Sequence, residues 1–133
     1  MDRPVVAGTE ARHAEGPERA QDELRRVAAD AVALGDVELS LDVVDTSAAI
    51  FAGLGKAEQA ATLLGTAEKQ RELAGIPRPD PDQQHLDRFI EPARRSVSDE
   101  AWAAAFEGGV RLTVEEAISL ATSHGPVSAT QGP

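Results

Sequence analysis

Residues Phe51–Gly75 read FAGLGKAEQAATLLGTAEKQRELAG, and the Gly53-Leu54-Gly55-Lys56 segment admits two readings. A glycine pair followed by lysine is where a phosphate-binding loop is sought. It is equally the corner between two helices. The phosphate loop has the form G-x-x-x-x-G-K-[ST], because glycine backbone cradles the phosphates and the last hydroxyl holds magnesium. Counting back from Gly55 puts Ile50 where the first glycine belongs, and Ala57 stands where Ser or Thr is required. The approach also has helical rather than strand patterning. Both chemical requirements fail, so the segment predicts a helix–turn–helix corner.

Helical punctuation extends outward from that corner in both directions. Ala20, Leu24, Val27, Ala28, Ala31 and Leu34 form an apolar stripe at helical spacing, closed by Gly35. Asp36 is placed to cap a helix running to about Gly53. That helix has two apolar faces, Leu41/Val44/Ala48/Phe51 and Leu39/Val43/Ile50/Leu54, as expected of a helix packed on two sides. The next helix carries Ala57, Ala60, Ala61, Leu64 and Ala67 on one face. It stops at Gly75 before Pro77, Pro79 and Pro81. Asp80 with Pro81 predicts a cap followed by proline in the first turn. A fourth helix shows Leu86, Phe89, Ile90, Ala93 and Val97, with a kink or break expected at Pro92. Ser98 caps a short helix holding Trp102, Ala105 and Phe106 and ending at Gly108-Gly109. Thr113 and Glu116 form a capping box for a last helix with Val114, Ala117, Ile118 and Ala121.

Composition agrees with an all-α chain. The 133 residues contain 3% aromatics, with one Trp, three Phe and no Tyr. Abundant alanine has high helix propensity and lets helices approach closely. The organisation expected is a flexible leader over 1–17, one helical domain over 18–124 and a disordered tail over 125–133. Leu34-Gly35-Asp36-Val37-Glu38 and Leu54-Gly55-Lys56-Ala57-Glu58 repeat about one helix apart. That is the mark of stacked antiparallel helix hairpins.

Net charge is −10, a field that repels phosphate backbones and anionic lipid surfaces alike. Direct nucleic-acid binding and membrane attachment are therefore not expected. Arg25-Arg26 and Arg94-Arg95, the basic pairs, read as solvated helix faces. The chain has no cysteine, which removes disulfides and thiolate chemistry. With no apolar signal-like segment at the N-terminus, a cytoplasmic location is expected.

No catalytic constellation, cofactor motif or metal site is expected. His13, His85 and His124 are far apart. His85 has Asp80, Asp82 and Asp87 nearby, but no second histidine shares its face at ligand spacing. Ser123-His124 lacks the elbow motif of a serine nucleophile. Glu115-Glu116 and Asp99-Glu100 occupy first turns, where they favour the helix dipole. The pair Trp102/Phe106 is the candidate ligand-binding site; its ordinary reading is the anchor of a small core.

Several of these phrases together resemble a known family. LGKAEQAATLLGTAEKQRELAGIPRPDPDQQHLDRFI, followed by SVSDEAWAAAFEGGVRLTVEEAISLA, is similar to the C-terminal tetratricopeptide-like region of actinobacterial LuxR-type and signal-transduction NTPase transcriptional regulators. The resemblance covers about Leu34 to Thr122. It implies a tetratricopeptide-like antiparallel helix-hairpin array with a small C-terminal helical cap. It also implies a non-enzymatic module that contacts another protein or a second copy of itself, either free-standing or the remnant arm of a longer regulator. The alternative it implies is an inducer-sensing module with a pocket near Trp102/Phe106. Catalytic and DNA-reading residues of that family lie in other domains, so none carries over.

Overall fold

In a computed structural model the described residues are 16–131, with side chains described at 19 and over 22–122. Among them the chain forms six helices and no strand: α1 Gly16–Leu34, α2 Val37–Gly53, α3 Ala57–Ala74, α4 Asp80–Arg95, α5 Asp99–Val110 and α6 Val114–Gln131. The all-α expectation holds. None of the described helices is long and apolar enough to cross a membrane.

The Gly55-Lys56 segment is a helix–helix corner. Gly55 has φ +81, a left-handed conformation that a Cβ disfavours by about 1–2 kcal/mol. Its N–H donates to the Ala52 carbonyl at 3.1 Å, and Lys56 N–H donates to Phe51 at 2.9 Å. These are the paired bonds of a Schellman cap, which satisfy carbonyls the helix leaves open. Gly35 and Gly75 repeat the arrangement after α1 and α3, so the sequence repeat marks one local device used at successive corners.

Helix starts are also as the sequence predicts in three cases. Asp36 accepts from Leu39 N–H at 2.9 Å and Ser98 from Ala101 N–H at 3.0 Å. Thr113 and Glu116 exchange bonds at 2.9 and 3.0 Å, completing the capping box. The fourth differs. Asp80 is not the cap of α4; Pro79, with extended backbone, holds that place and Asp80 enters the first turn. Its carboxylate favours the helix dipole there.

Three expected breaks do not occur. Pro92 lies inside α4 without ending it. The carbonyl its missing N–H orphans belongs to Arg88, and both residues are exposed to water. Gly108-Gly109 does not end α5, which continues to Val110. The last helix does not stop at Gly125 but runs to Gln131, and α1 starts at Gly16 rather than after Pro17. The remainder of the expected leader, 1–15, and residues 132–133 of the expected tail lie outside the described residues. Residue 126 is proline and has no N–H for the Thr122 carbonyl. That carbonyl instead accepts from Arg25 Nε of α1 at 2.6 Å. A side chain from a distant helix thus repairs the bond proline removes.

α3 is the central helix, packed by α2, α4, α5 and α6. Its predicted stripe is buried at Ala57, Ala60, Ala61 and Ala67, and Leu63, Gly65, Thr66 and Arg71 are buried as well. The most extensive packing joins α3 to α5. A Cβ at Gly65 would collide with the Phe106 carbonyl, and one at Gly109 with the Thr62 carbonyl. Thr66 Oγ1 donates to the Gly109 carbonyl at 2.6 Å across this crossing. α6 packs on α1, α2 and α3, so the C-terminal end folds back over the first helices. On α1 the buried line is Ala28 and Ala31, while Val27 and Leu34 from the predicted stripe are exposed.

Candidate functional site

α2 and α4 run side by side in the same direction with α3 returning between them. Their relative direction follows from two contacts. Just before α4, Arg78 pairs with Asp45 in the middle of α2. Farther along both helices, the Phe89 ring lies beside Gly53, 3.7 Å from where a Cβ would stand.

A buried ion network fixes this geometry. Arg78 Nε and Nη2 both donate to the Asp45 carboxylate at 2.8 Å, a bidentate pair. Arg78 Nη1 reaches Glu68 at 2.8 Å and Gln83 at 2.7 Å, and Gln83 in turn donates to Asp87 at 2.9 Å. Arg71 of α3 donates to Asp45 at 2.8 Å, to Asp42 at 3.2 Å and to the Ile76 carbonyl at 3.1 Å. The side chains of Arg71, Arg78 and Asp45 are 6%, 3% and 14% exposed. One carboxylate on α2 therefore clamps α3 and the proline-rich loop leading into α4. Burial acts to lower the Arg78 pKa, but hydrogen bonds and charge from Asp45 and Glu68 outweigh it and hold the group above the ordinary arginine value. Arg71 Nε is the buried side-chain nitrogen without a protein partner among the described residues.

Above this frame lies a groove of about 500 Å³ lined by Asp42, Asp45, Thr46, Ala49, Ile50, Asp82, His85, Leu86 and Phe89. It is graded along its length. Along each helix the carboxylates come first: Asp42 and Asp45 precede Ile50 on α2, and Asp82 precedes Leu86 and Phe89 on α4. Asp42, Thr46, Asp82, His85 and Phe89 are exposed, so one side of the groove is open to solvent. Phe89 is 38% exposed despite belonging to the apolar stripe predicted for α4; its ring packs edge-on to His85 at 5.3 Å.

The residues singled out in the sequence scatter. Trp102 is buried in the core with Arg94 stacked 5.8 Å from its ring centroid, and Phe106 is half-buried. Neither lines the α2–α4 groove, the cleft beneath the proline loop at Arg71 and Ile76, or the cleft between Val37 and Val114. His85 and Asp82 do meet, in the groove. Asp87 bonds Gln83, and Asp80 stays in the first turn of α4. Asp99, Glu100, Glu115 and Glu116 lie in first turns, as read. The structure describes no side chain for His13, Ser123 or His124. Among the described residues no three His, Asp or Glu side chains gather to hold a metal ion.

Sequence reasoning missed both the ion network and the groove. A periodic-stripe reading assigns Phe89 to the core and leaves Arg71, Arg78 and Asp45 as ordinary polar residues. The available signal was Arg78 in a proline-rich loop, flanked by Pro77 and Pro79, where a long side chain has little helix surface of its own to lie on. Comparison with protein-family models, with curated proteins and with solved structures finds no match in any of the three.

Proposed function

We propose that the chain is a non-enzymatic, tetratricopeptide-like interaction module of transcriptional-regulator type, and that the α2–α4 groove is its working surface. The observation that carries this reading is the groove itself: open on one side, apolar in its floor, and bordered at one end by a buried ion network that ties α2 to α3 and to the loop leading into α4. Small-molecule sites usually enclose ~70–90% of the ligand surface, whereas this groove has five exposed lining residues. An open groove suits a segment of polypeptide laid along it.

The up–down–up order of α2, α3 and α4, with Schellman corners repeated at Gly35, Gly55 and Gly75, supports the hairpin-repeat part of the proposal. The regulator part rests on the resemblance of Leu54–Ile90 and Ser96–Ala121 to the helical arm of such regulators. The partner is then another protein or a second copy, and the setting is cytoplasmic. The inducer-sensing alternative needs a ligand to enter near Trp102 and Phe106, and the burial of Trp102 favours the core reading of that pair.

The test is affinity purification of the tagged full chain from its own cells, run in parallel with Phe89→Glu and Ala103→Glu. Ala103 is exposed on α5, away from the groove. A partner, or untagged chain, retained by the parent and Ala103→Glu but lost with Phe89→Glu supports the proposal. Retention by all three places the working surface elsewhere.

A further inference from the structure

The gradation of the groove specifies its partner more closely than its shape does, and the inference rests on the α2–α4 groove being the working surface. At its beginning, three carboxylates line the groove: Asp42 and Asp82 are exposed, and Asp45 lies beneath them in the ion network. The cations that neutralise this end are Arg71 and Arg78, and both are committed. Arg78 spends its donors on Asp45, Glu68 and Gln83, and Arg71 donates to Asp45, Asp42 and the Ile76 carbonyl. Asp42 remains 54% exposed with a single long bond to Arg71, and Asp82 stands exposed in the first turn of α4. The far end presents Ile50 and the half-exposed face of Phe89, with exposed Leu54 following on α2.

We infer that the groove binds a segment of another protein in which a short cluster of Arg or Lys adjoins an aliphatic or aromatic anchor, the cations lying over Asp42 and Asp82 and the anchor against Ile50 and Phe89. Charge complementarity selects this occupant. An acidic segment meets the exposed carboxylates of Asp42 and Asp82 as well as a chain of net charge −10, and like-charge contact at an interface is costly. A purely apolar segment leaves the carboxylate end facing nothing it can pair. The separation of the two chemistries along parallel helices also fixes direction, because the anchor and the cations cannot exchange places.

The test uses the full chain, isotope-labelled, titrated with two synthetic peptides that share one Leu-Phe anchor and differ only in an adjoining Arg-Lys or Glu-Asp cluster. The basic peptide is expected to shift amide signals of Asp42–Ile50 and Asp82–Phe89, and to bind about tenfold more tightly than the acidic one. Asp42→Asn and Asp82→Asn each weaken it about two- to fivefold, as exposed ion pairs do, and salt at about 0.3 M weakens it further. Thr46→Lys places a cation in the acidic end without touching the ion network and abolishes binding. A paramagnetic label on the anchor end broadens Phe89 and Gly53 rather than Asp42.

Equal binding of both peptides, with silent Asn variants, overturns the cationic assignment while leaving a groove that binds protein. Failure of either peptide to shift the groove, when Phe89→Glu still sheds the cellular partner, likewise overturns the assignment and spares the groove reading. Retention of that partner by Phe89→Glu removes both. A photocrosslink from residue 46 into residues 1–15 of the same chain, which carry Arg3 and Arg12, or into a second copy, overturns the separate partner.

Discussion

The α3–α5 crossing and the α2–α4 pair bring helices together by opposite means. At the first, backbone meets backbone: Gly65 and Gly109 remove the side chains that would hold the helices apart, and Thr66 ties the Gly109 carbonyl across the gap. At the second, α4 packs directly on α2, while one carboxylate and two arginines tie α2 to α3 and to the loop before α4, and a groove stays open along one side of the pair. The first interface has no room for anything else, and the second has a surface to offer.

The largest expected effect falls on the ion network. Asp45→Ala takes the shared carboxylate from two buried guanidiniums, leaving Arg71 only Asp42 and the Ile76 carbonyl and Arg78 only Glu68 and Gln83, and is expected to cost about 3–5 kcal/mol, read from urea unfolding followed by circular dichroism. Replacing all three groups at once, with Arg71→Met, Asp45→Leu and Arg78→Met, is expected to recover most of that loss, because an apolar cluster needs no pairing. If the single variant loses less than about 1 kcal/mol, the network is not what frames the groove.

Next comes the closed crossing. Gly109→Ala is expected to destabilise by about 1–3 kcal/mol or more through overpacking against Thr62. Gly108→Ala, one position away with open space around it, is expected to stabilise by about 0.5–1 kcal/mol through helix propensity. The opposite signs of neighbouring glycines make the comparison sharp; equal effects would mean that α5 does not sit on Thr62 as described. Thr66→Val is smaller, about 1 kcal/mol, since the Gly109 carbonyl keeps its bond from Leu112 N–H at 3.0 Å.

The smallest stability effect belongs to the open side. Phe89→Leu trims a ring that is 38% exposed while keeping most of its apolar contact, and is expected to cost under about 1 kcal/mol by thermal unfolding. A loss comparable to that of Gly109→Ala would show that Phe89 is core rather than surface.

Local signals were well written in the sequence. The caps at Asp36, Ser98 and Thr113 and the corner at Gly55 were legible because each depends on a few adjacent residues. Gly108-Gly109 misled because the same residue type ends helices and lets helices cross, and only tertiary placement decides between the two. The tail expected from residue 125 misled for a related reason: the Thr122 carbonyl, which the proline at 126 leaves without its helical partner, accepts instead from Arg25, nearly a hundred residues earlier. Phe89 matched the apolar period of α4, yet that period reports a face and cannot say whether a neighbouring helix covers all of it. The Arg71–Asp45–Arg78 cluster was hidden because its members come from α2, α3 and a loop, with no shared spacing to betray them.

The most direct measurement is photocrosslinking of the full chain in its own cells from two positions in parallel, residue 46 in the groove and residue 103 on the outer side of α5. A discrete protein adduct is expected from residue 46 and none from residue 103, with the groove adduct lost when Phe89→Glu is added. A discrete adduct from residue 103 with none from residue 46 would contradict it and move the working surface to the closed half of the molecule.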